Sequence, residues 1–343
     1  MASNGRRAGP TNTSGSCSCS RRTSARSRRA RGRLRIREAH LRSLLFFFLA
    51  LTLTATPSIT VARTARAIRP GELVLLSIAT TTPVARVGVH AFDREWLAFR
   101  DETGGWRALI GIDLDTAPGT YETVITAGGE RVSDMLIVRA RRFPTRRLTV
   151  DPDLVNPPPE ARERIDREAH ELTSLWQTSA SERLWSGPFV RPVPDRANSA
   201  FGTRSIYNGE PRAPHSGADF LSPAGRPVKA PNAGRVALAA ALYFTGNTLV
   251  IDHGQGLFSL LAHLSEIDVR RGDAVKAGDI VGKVGATGRV TGPHLHWTVR
   301  TNGARVDPLS LLFVLGRTIP TVSPAKRIDI RDESSIVPRS IHD

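Results

Sequence analysis

The chain has 343 residues, 40% of them hydrophobic, and a formal net charge of +16. This apolar content is sufficient for packed cores and argues against global disorder. The charge would suit a nucleic-acid-binding protein, but residues 1–42 hold twelve arginines and one glutamate, a net charge of +11. Most of the excess charge therefore lies in one terminal segment, and we predict no nucleic-acid partner.

The first segment, residues 1–42, is rich in Arg, Ser and Gly and nearly free of apolar residues, which predicts a basic disordered leader. Its Cys17 and Cys19 are the only cysteines of the chain. Any metal site farther along must therefore use histidines and carboxylates.

An apolar run follows from Ser43, and no charged residue occurs between Arg42 and Arg63. A basic flank, an apolar run and small residues are typical of an export signal. We predict that residues 43–67 are a signal peptide, with cleavage sites ending at Ala62 or Ala67, or a membrane anchor formed by residues 43–62. In both cases the rest of the chain is exported, because positive charge stays inside.

Residues 68–150 contain short apolar or alternating runs separated by glycine-rich turns, which predicts an immunoglobulin-like β-sandwich. A linker over residues 151–195 follows and contains one helix, which begins after three prolines at Glu160 and ends at Trp176. An apolar stripe on this helix predicts that it packs against one of its neighbours; the stripe consists of Ile165, Ala169, Leu172 and Trp176.

Chemistry-bearing residues concentrate in residues 196–313, before a predicted tail over residues 314–343. Five of the nine histidines lie here: His215, His253, His263, His294 and His296. His294 and His296 are two positions apart, so on a strand both imidazoles point to one face. His215 and Asp219 lie in a loop that runs into a strand, and both types are good Zn²⁺ ligands. The set suits metal-assisted hydrolysis of an amide.

Ordered motifs across residues 201–312 resemble the LytM-type (M23) zinc peptidases of peptidoglycan. They include Phe201-Gly-Thr-Arg204, His215-Ser-Gly-Ala-Asp219, Asp252-His-Gly254, Gly285-Ala-Thr-Gly288 and Gly292-Pro-His-Leu-His-Trp297. The resemblance implies a β-rich groove with one Zn²⁺ ion at its floor and peptidoglycan peptides as substrate. The predicted fold class is therefore mainly β: a sandwich, a connecting helix and a β-rich LytM-type domain.

The resemblance also implies roles residue by residue. His215, Asp219 and His296 are the expected metal ligands. His294 is the expected general base toward the metal-activated water, and His263 the residue that stabilises the carbonyl oxygen, although the base role is open between these two. His253 is expected to be structural. Leu261 replaces an aromatic residue of many relatives and is expected to alter the groove wall.

Two other functions stay open at the level of the sequence. Some LytM-type domains lack ligands and activate other cell-wall hydrolases, but this chain retains the whole set. A biotin or lipoate carrier would need a modified lysine at a hairpin tip, but Lys276 and Lys283 lack the expected flanking residues. The favoured prediction is an exported, zinc-dependent endopeptidase that cleaves peptidoglycan cross-links, either D-alanyl–diaminopimelate or glycine bridges.

Overall fold

The computed structural model describes residues 58–149, 157–197 and 201–316. The predicted leader, the first fifteen residues of the predicted signal or anchor and the predicted tail from residue 317 lie outside the described residues. The described part is mainly β, as predicted, with two helices. No helix in these ranges has the length and apolar content needed to cross a membrane.

Seven strands form the first part of the fold: β1 (Ile59–Ala65), β2 (Leu73–Thr80), β3 (Val87–Ala91), β4 (Arg94–Arg100), β5 (Trp106–Gly111), β6 (Gly119–Ala127) and β7 (Glu130–Val138). They make one antiparallel sheet in the order β1-β2-β5-β4-β3-β6-β7. The first half of β4 pairs with β3 and its second half with β5. The immunoglobulin-like assignment of this sheet stays a prediction.

The N-terminal boundary of this sheet differs from the prediction. Strand β1 begins at Ile59, nine residues before the predicted start at residue 68, and pairs with β2 along its whole length. Cleavage after Ala62 would cut this strand, and cleavage after Ala67 would remove it. The apolar alternation of Ile59 and Val61 belongs to a strand, whereas the sequence prediction included it in the apolar export segment.

The linker and the residues just before it contribute a helix and a strand to the second part of the fold. Strand β8 (Thr145–Leu148) pairs in parallel with β9 (Arg204–Tyr207), so the last residues of the predicted sandwich range 68–150 pair with the second part of the fold. Helix α1 (Pro159–Leu175) lies within one residue of its prediction at both ends. Its residues Leu172 and Leu175 pack in an apolar cluster with Phe258, whereas Ala169, predicted in the apolar stripe, is exposed.

Ten further strands follow β9: β10 (Glu210–Pro211), β11 (Gly217–Phe220), β12 (Pro227–Lys229), β13 (Gly234–Leu242), β14 (Gly246–Gly254), β15 (Leu257–Ile267), β16 (Ala274–Val275), β17 (Ile280–Val284), β18 (Leu295–Thr301) and β19 (Ala304–Val306). All of these strands except β10, which pairs with β9, form one nine-stranded sheet with the order β11-β18-β15-β14-β13-β16. In the same sheet β17 pairs with β12 and β15, and β19 pairs with β18. Strands β14 and β15 are almost fully buried, because apolar side chains cover both of their faces.

Helix α2 (Pro308–Leu315) follows β19 and joins the two parts of the fold. Its N-cap residue Asp307 lies 2.6 Å from Arg66, and Arg66 also forms two hydrogen bonds of 2.9 Å with the fully buried Glu72. Arg141 lies 3.5 Å from both carboxylates. Charges this far from water are stable only when they are paired, so this network fixes the first sheet against α2.

Candidate metal centre

Two of the predicted ligands lie on adjacent strands at directly opposed positions. Asp219 on β11 is the register partner of His296 on β18, and opposed side chains of an antiparallel pair lie on the same face. Two residues earlier on β11, a Cβ atom at Gly217 would lie 2.5 Å from the Trp297 carbonyl oxygen and 2.7 Å from His296. Only glycine fits there, and its absent side chain lets the two strands and the histidine ring approach.

His215 completes the group from the loop before β11. Its backbone N–H donates to the Thr203 carbonyl oxygen, and its own carbonyl oxygen accepts from Gly202, so two backbone bonds hold the loop. His215 Nε2 lies 3.0 Å from Asp219 Oδ1 and 3.1 Å from His296 Nδ1, and Asp219 Oδ1 lies 2.7 Å from His296 Nδ1. Three donor atoms from two strands and one loop thus converge on one point.

The charge state of this group suits a divalent metal. Burial opposes ionisation of Asp219, but the hydrogen bonds with His215 and His296 outweigh it and hold the pKa of this carboxyl far below its ordinary value. Burial lowers the pKa of His296, so its ring is neutral near pH 7. Two imidazole nitrogens and one carboxylate are a donor set of catalytic zinc sites, and the residues present therefore fit a Zn²⁺ ion.

Thr298 orients the ring of His296, a role that none of the sequence predictions includes. His296 Nε2 lies 2.8 Å from Thr298 Oγ1, which leaves Nδ1 to face Asp219 and His215. Such an outer hydrogen bond fixes both the tautomer and the direction of a metal-binding imidazole. A signal was present, because residues 296 and 298 share one face of a strand.

His263 reaches the same site through an irregularity of β15. Ala262 is the partner of His296 and lies on its face, so regular alternation would place His263 on the opposite face with Leu261. The pairing with β14 shifts register here, and His263 has a φ of 65°. This bulge turns the His263 ring toward the site, 4.8 Å from the ring of His294 between centroids.

Hydrogen bonds define the tautomers of both outer histidines. His263 Nδ1 lies 2.9 Å from the Thr287 carbonyl oxygen, and His294 Nδ1 lies 2.9 Å from the Gly292 carbonyl oxygen. A carbonyl oxygen only accepts, so each Nδ1 carries a hydrogen, and the neutral form of either ring has its lone pair at Nε2. His294 Nε2 lies 3.9 Å from Asp219 Oδ1. Burial lowers the pKa of His263 to about 4, which keeps its ring neutral.

His253 and Leu261 lie away from this group. His253 is fully buried, donates to the Ala233 carbonyl oxygen through Nδ1 and places Nε2 2.9 Å from Ser259 Oγ, so both ring nitrogens have partners. Leu261 is fully buried in the core beneath the sheet. The expectation that Leu261 alters the groove wall is wrong, because the bulge separates its face from that of His263.

The sequence profile of Peptidase family M23 matches residues 213–308. Among curated proteins, the peptidoglycan DD-endopeptidase ShyA of Vibrio cholerae is 36% identical over 139 residues, which are 40% of this chain and 32% of ShyA. The DD-carboxypeptidase/endopeptidase Mpg of Neisseria meningitidis is 39% identical over 116 residues, 34% of this chain and 27% of Mpg. The matches thus span about a third or less of the length of these relatives.

A solved structure extends the similarity beyond the metal centre. It is a Pseudomonas aeruginosa protein described as a peptidase M23, 34% identical to this chain with a TM-score of 0.59. The match covers 72% of this chain and 96% of that protein. The similarity therefore includes residues upstream of the region that the family profile matches.

Proposed function

This chain belongs to peptidase family M23, and we propose that it is a zinc-dependent endopeptidase that hydrolyses peptide cross-links of bacterial peptidoglycan. The convergence of His215, Asp219 and His296 within 3.1 Å of one another carries the proposal. A zinc ion bound there would polarise a substrate carbonyl and make water a nucleophile near neutral pH. The names of the peptidoglycan DD-endopeptidase relatives support the substrate class.

His263 and His294 supply the acid–base groups of the proposed reaction. In its neutral form each ring presents an unprotonated Nε2, and from that form it accepts a proton before it can donate one. The resemblance assigns the base role to His294 and the carbonyl contact to His263. Because Nδ1 of His263 is committed to the Thr287 carbonyl oxygen, His263 donates from Nε2 only after it has taken a proton.

The position of the first sheet relative to the proposed zinc ligands also supports catalysis. The first sheet contacts the second part of the fold at α2, β18 and β19. On β18 this contact lies near Thr301, where Gly111 of β5 packs, at the end of the strand opposite to His296. We therefore propose that the first sheet acts as a spacer or positioning module that leaves the zinc ligands open to substrate.

The cellular location follows from the proposed substrate. Peptidoglycan lies outside the inner membrane, so we propose that the described part of the chain acts in the cell envelope. Residues before Ile59 would then carry the export signal or anchor, and cleavage would fall before β1. D-Amino-acid cross-links are the proposed scissile bonds, because the similar enzymes ShyA and Mpg are named for DD-peptidase activities.

The test is digestion of purified sacculi by the full chain with zinc, followed by mass spectrometry of the released muropeptides. We expect cross-linked dimers to fall and monomers to rise, and His215→Ala to abolish the change. His170→Ala is the matched control, because His170 is exposed on α1. Undiminished cleavage by His215→Ala would refute the metal mechanism, and zinc-bound protein without cleavage would favour a regulator of other hydrolases.

A further inference from the structure

A short segment after β17, residues 285–288, contacts both outer histidines of the metal centre and forms a bridging segment between them. The Gly285 carbonyl oxygen accepts from the backbone N–H of His294 at 3.2 Å. The Thr287 carbonyl oxygen accepts from His263 Nδ1 at 2.9 Å. The two histidine rings lie 4.8 Å apart between centroids. The position of the bridging segment therefore affects both groups of the proposed acid–base pair.

The hydroxyl of Thr287 fastens the bridging segment to two strands at once. Thr287 Oγ1 accepts from the backbone N–H of Asn247 on β14 at 2.8 Å and donates to the Leu264 carbonyl oxygen on β15 at 2.8 Å. Asn247 and Leu264 are register partners at the edge of the β15 bulge, because the next pair, Leu249 with Leu261, is already shifted. A bulge disrupts the ladder of backbone hydrogen bonds, and backbone groups away from water need partners. The Thr287 hydroxyl supplies one partner to each strand.

Glycines make the contact between the bridging segment and these strands close. A Cβ atom at Gly246 would overlap Thr287, and one at Gly288 would overlap the backbone of Gly246. A Cβ atom at Gly285 would overlap the backbone of Ser265. Gly246 and Gly288 also have positive φ angles of 61° and 78°, which glycine adopts without steric cost. The bridging segment thus packs against backbone, and any shift of the segment moves the carbonyl oxygens that hold the two histidines.

We propose that Thr287 is a positioning residue of the peptidase reaction. Its hydroxyl holds the bridging segment in the place where the Thr287 carbonyl oxygen fixes the His263 ring and leaves Nε2 for the reaction. This inference rests on the function proposed above. The single hydroxyl proton is committed to the Leu264 carbonyl oxygen, so Thr287 acts through His263 and its loss affects the chemical step more than substrate binding.

The kinetic test compares the zinc-bound full chain with its Thr287→Val and Thr287→Ser variants on a purified muropeptide dimer. Valine keeps the branched shape but lacks the hydroxyl, so we expect kcat to fall about 100-fold with KM unchanged. Serine keeps the hydroxyl and should restore most of the rate. Thr178→Val is the matched control, because the Thr178 hydroxyl donates to the Leu175 carbonyl oxygen at 3.0 Å, just after α1. Unchanged kcat in Thr287→Val, or equal losses in both Thr287 variants, would overturn the proposal.

A spectroscopic measurement detects the His263 ring without turnover. In nitrogen NMR spectra of zinc-bound protein labelled at histidine, His263 Nδ1–H should give a slowly exchanging signal, which His263→Asn identifies by its absence. Thr287→Val alters no metal ligand, so it should keep stoichiometric zinc but lose this signal, and Thr287→Ser should keep both. A signal unchanged in Thr287→Val would overturn the positioning role, and so would its loss together with the bound zinc, which would indicate damage to the whole metal centre.

The two measurements together distinguish this inference from the proposed function. Absence of cleavage by the unmodified protein, with the expected loss and rescue of the Nδ1–H signal, would refute the endopeptidase proposal alone. Cleavage with equal kcat and equal signals in the unmodified protein and Thr287→Val would refute the positioning role alone. Should Thr287→Val fail to fold, the spectrum of the unmodified protein still decides, because an unprotonated Nδ1 at His263 would overturn the proposal.

Discussion

Asp219 lies directly opposite His296 across the β11–β18 pair, with Oδ1 2.7 Å from Nδ1. This register brings together two of the proposed ligands, which are 77 residues apart in the chain. The third proposed ligand, His215, lies in the loop before β11, four residues before Asp219, and reaches the same point. The metal centre therefore depends on one strand pairing, and its predicted properties can be tested at single positions.

Asp219→Asn tests the charge of the ligand set. The amide keeps the shape of the side chain but removes the negative charge and one good zinc donor atom. We expect the variant to lose bound zinc and to lose at least 100-fold in cleavage rate, measured by metal analysis and muropeptide release. Asp166→Asn on the exposed face of α1 is the control, and retention of stoichiometric zinc by Asp219→Asn would contradict the assignment.

Thr298→Val tests the outer hydrogen bond to His296. Valine keeps the volume of threonine but leaves His296 Nε2 without an acceptor, so the ring loses its fixed orientation. We expect zinc affinity or activity to fall 10- to 100-fold, measured by competition with a chromogenic chelator. Thr298→Ser retains the hydroxyl and should stay near the parent value; equal losses in both variants would point to packing instead.

Two substitutions at His263 test the bulge of β15, because the φ of 65° at this residue is unfavourable for most side chains. Asparagine tolerates this left-handed region, whereas a β-branched residue does not. We expect His263→Asn to lose activity with nearly unchanged stability, and His263→Val to lower the free energy of unfolding by a further ~1–3 kcal/mol. Urea unfolding measures the difference, and equal stability of the two variants would argue against strain at this position.

His253 predicts a loss of stability in acid. Burial lowers its pKa from 6.5 to about 4, so the unfolded chain takes up the proton first as the pH falls. The free energy of unfolding is unaffected by His253 above pH 6.5. It falls between pH 6.5 and pH 4 by about 3 kcal/mol in total, at 1.4 kcal/mol per pH unit. His253→Asn can still donate to the Ala233 carbonyl oxygen but does not titrate. Its unfolding free energy should fall less steeply between pH 6.5 and 4; parallel curves would contradict the prediction.

The N-terminal boundary of the fold predicts a stability difference between two shortened chains. A chain that starts at Ser58 keeps β1 and Arg66, whereas one that starts at Ile68 exposes the edge of β2 and leaves Glu72 and Asp307 without Arg66. We expect the shorter chain to unfold several kcal/mol more readily, measured by urea unfolding. Equal stability of the two chains would make cleavage after Ala67 compatible with the fold.

Several features follow from local sequence patterns alone. The three prolines and the apolar spacing place helix α1 within one residue of its observed ends. The short, contiguous motifs that carry the family resemblance name five candidate residues, and the structure brings the side chains of these five residues close together. His294 and His296 are two positions apart, and this separation places both beside Asp219, at 3.9 and 2.7 Å.

Other features require contacts between distant segments. The start of β1 continues the apolar, export-like run in the sequence. It is recognisable as a strand only from its pairing with β2. Similarly, strand alternation would place His263 in the core with Leu261, and the shifted pairing of β15 with β14 reverses that outcome. Sequence thus determined which side chains are the candidates for the chemistry, because residue type sets ligand and proton affinity. Only tertiary structure decided which face each one occupies, because register and bulges arise from pairing between strands.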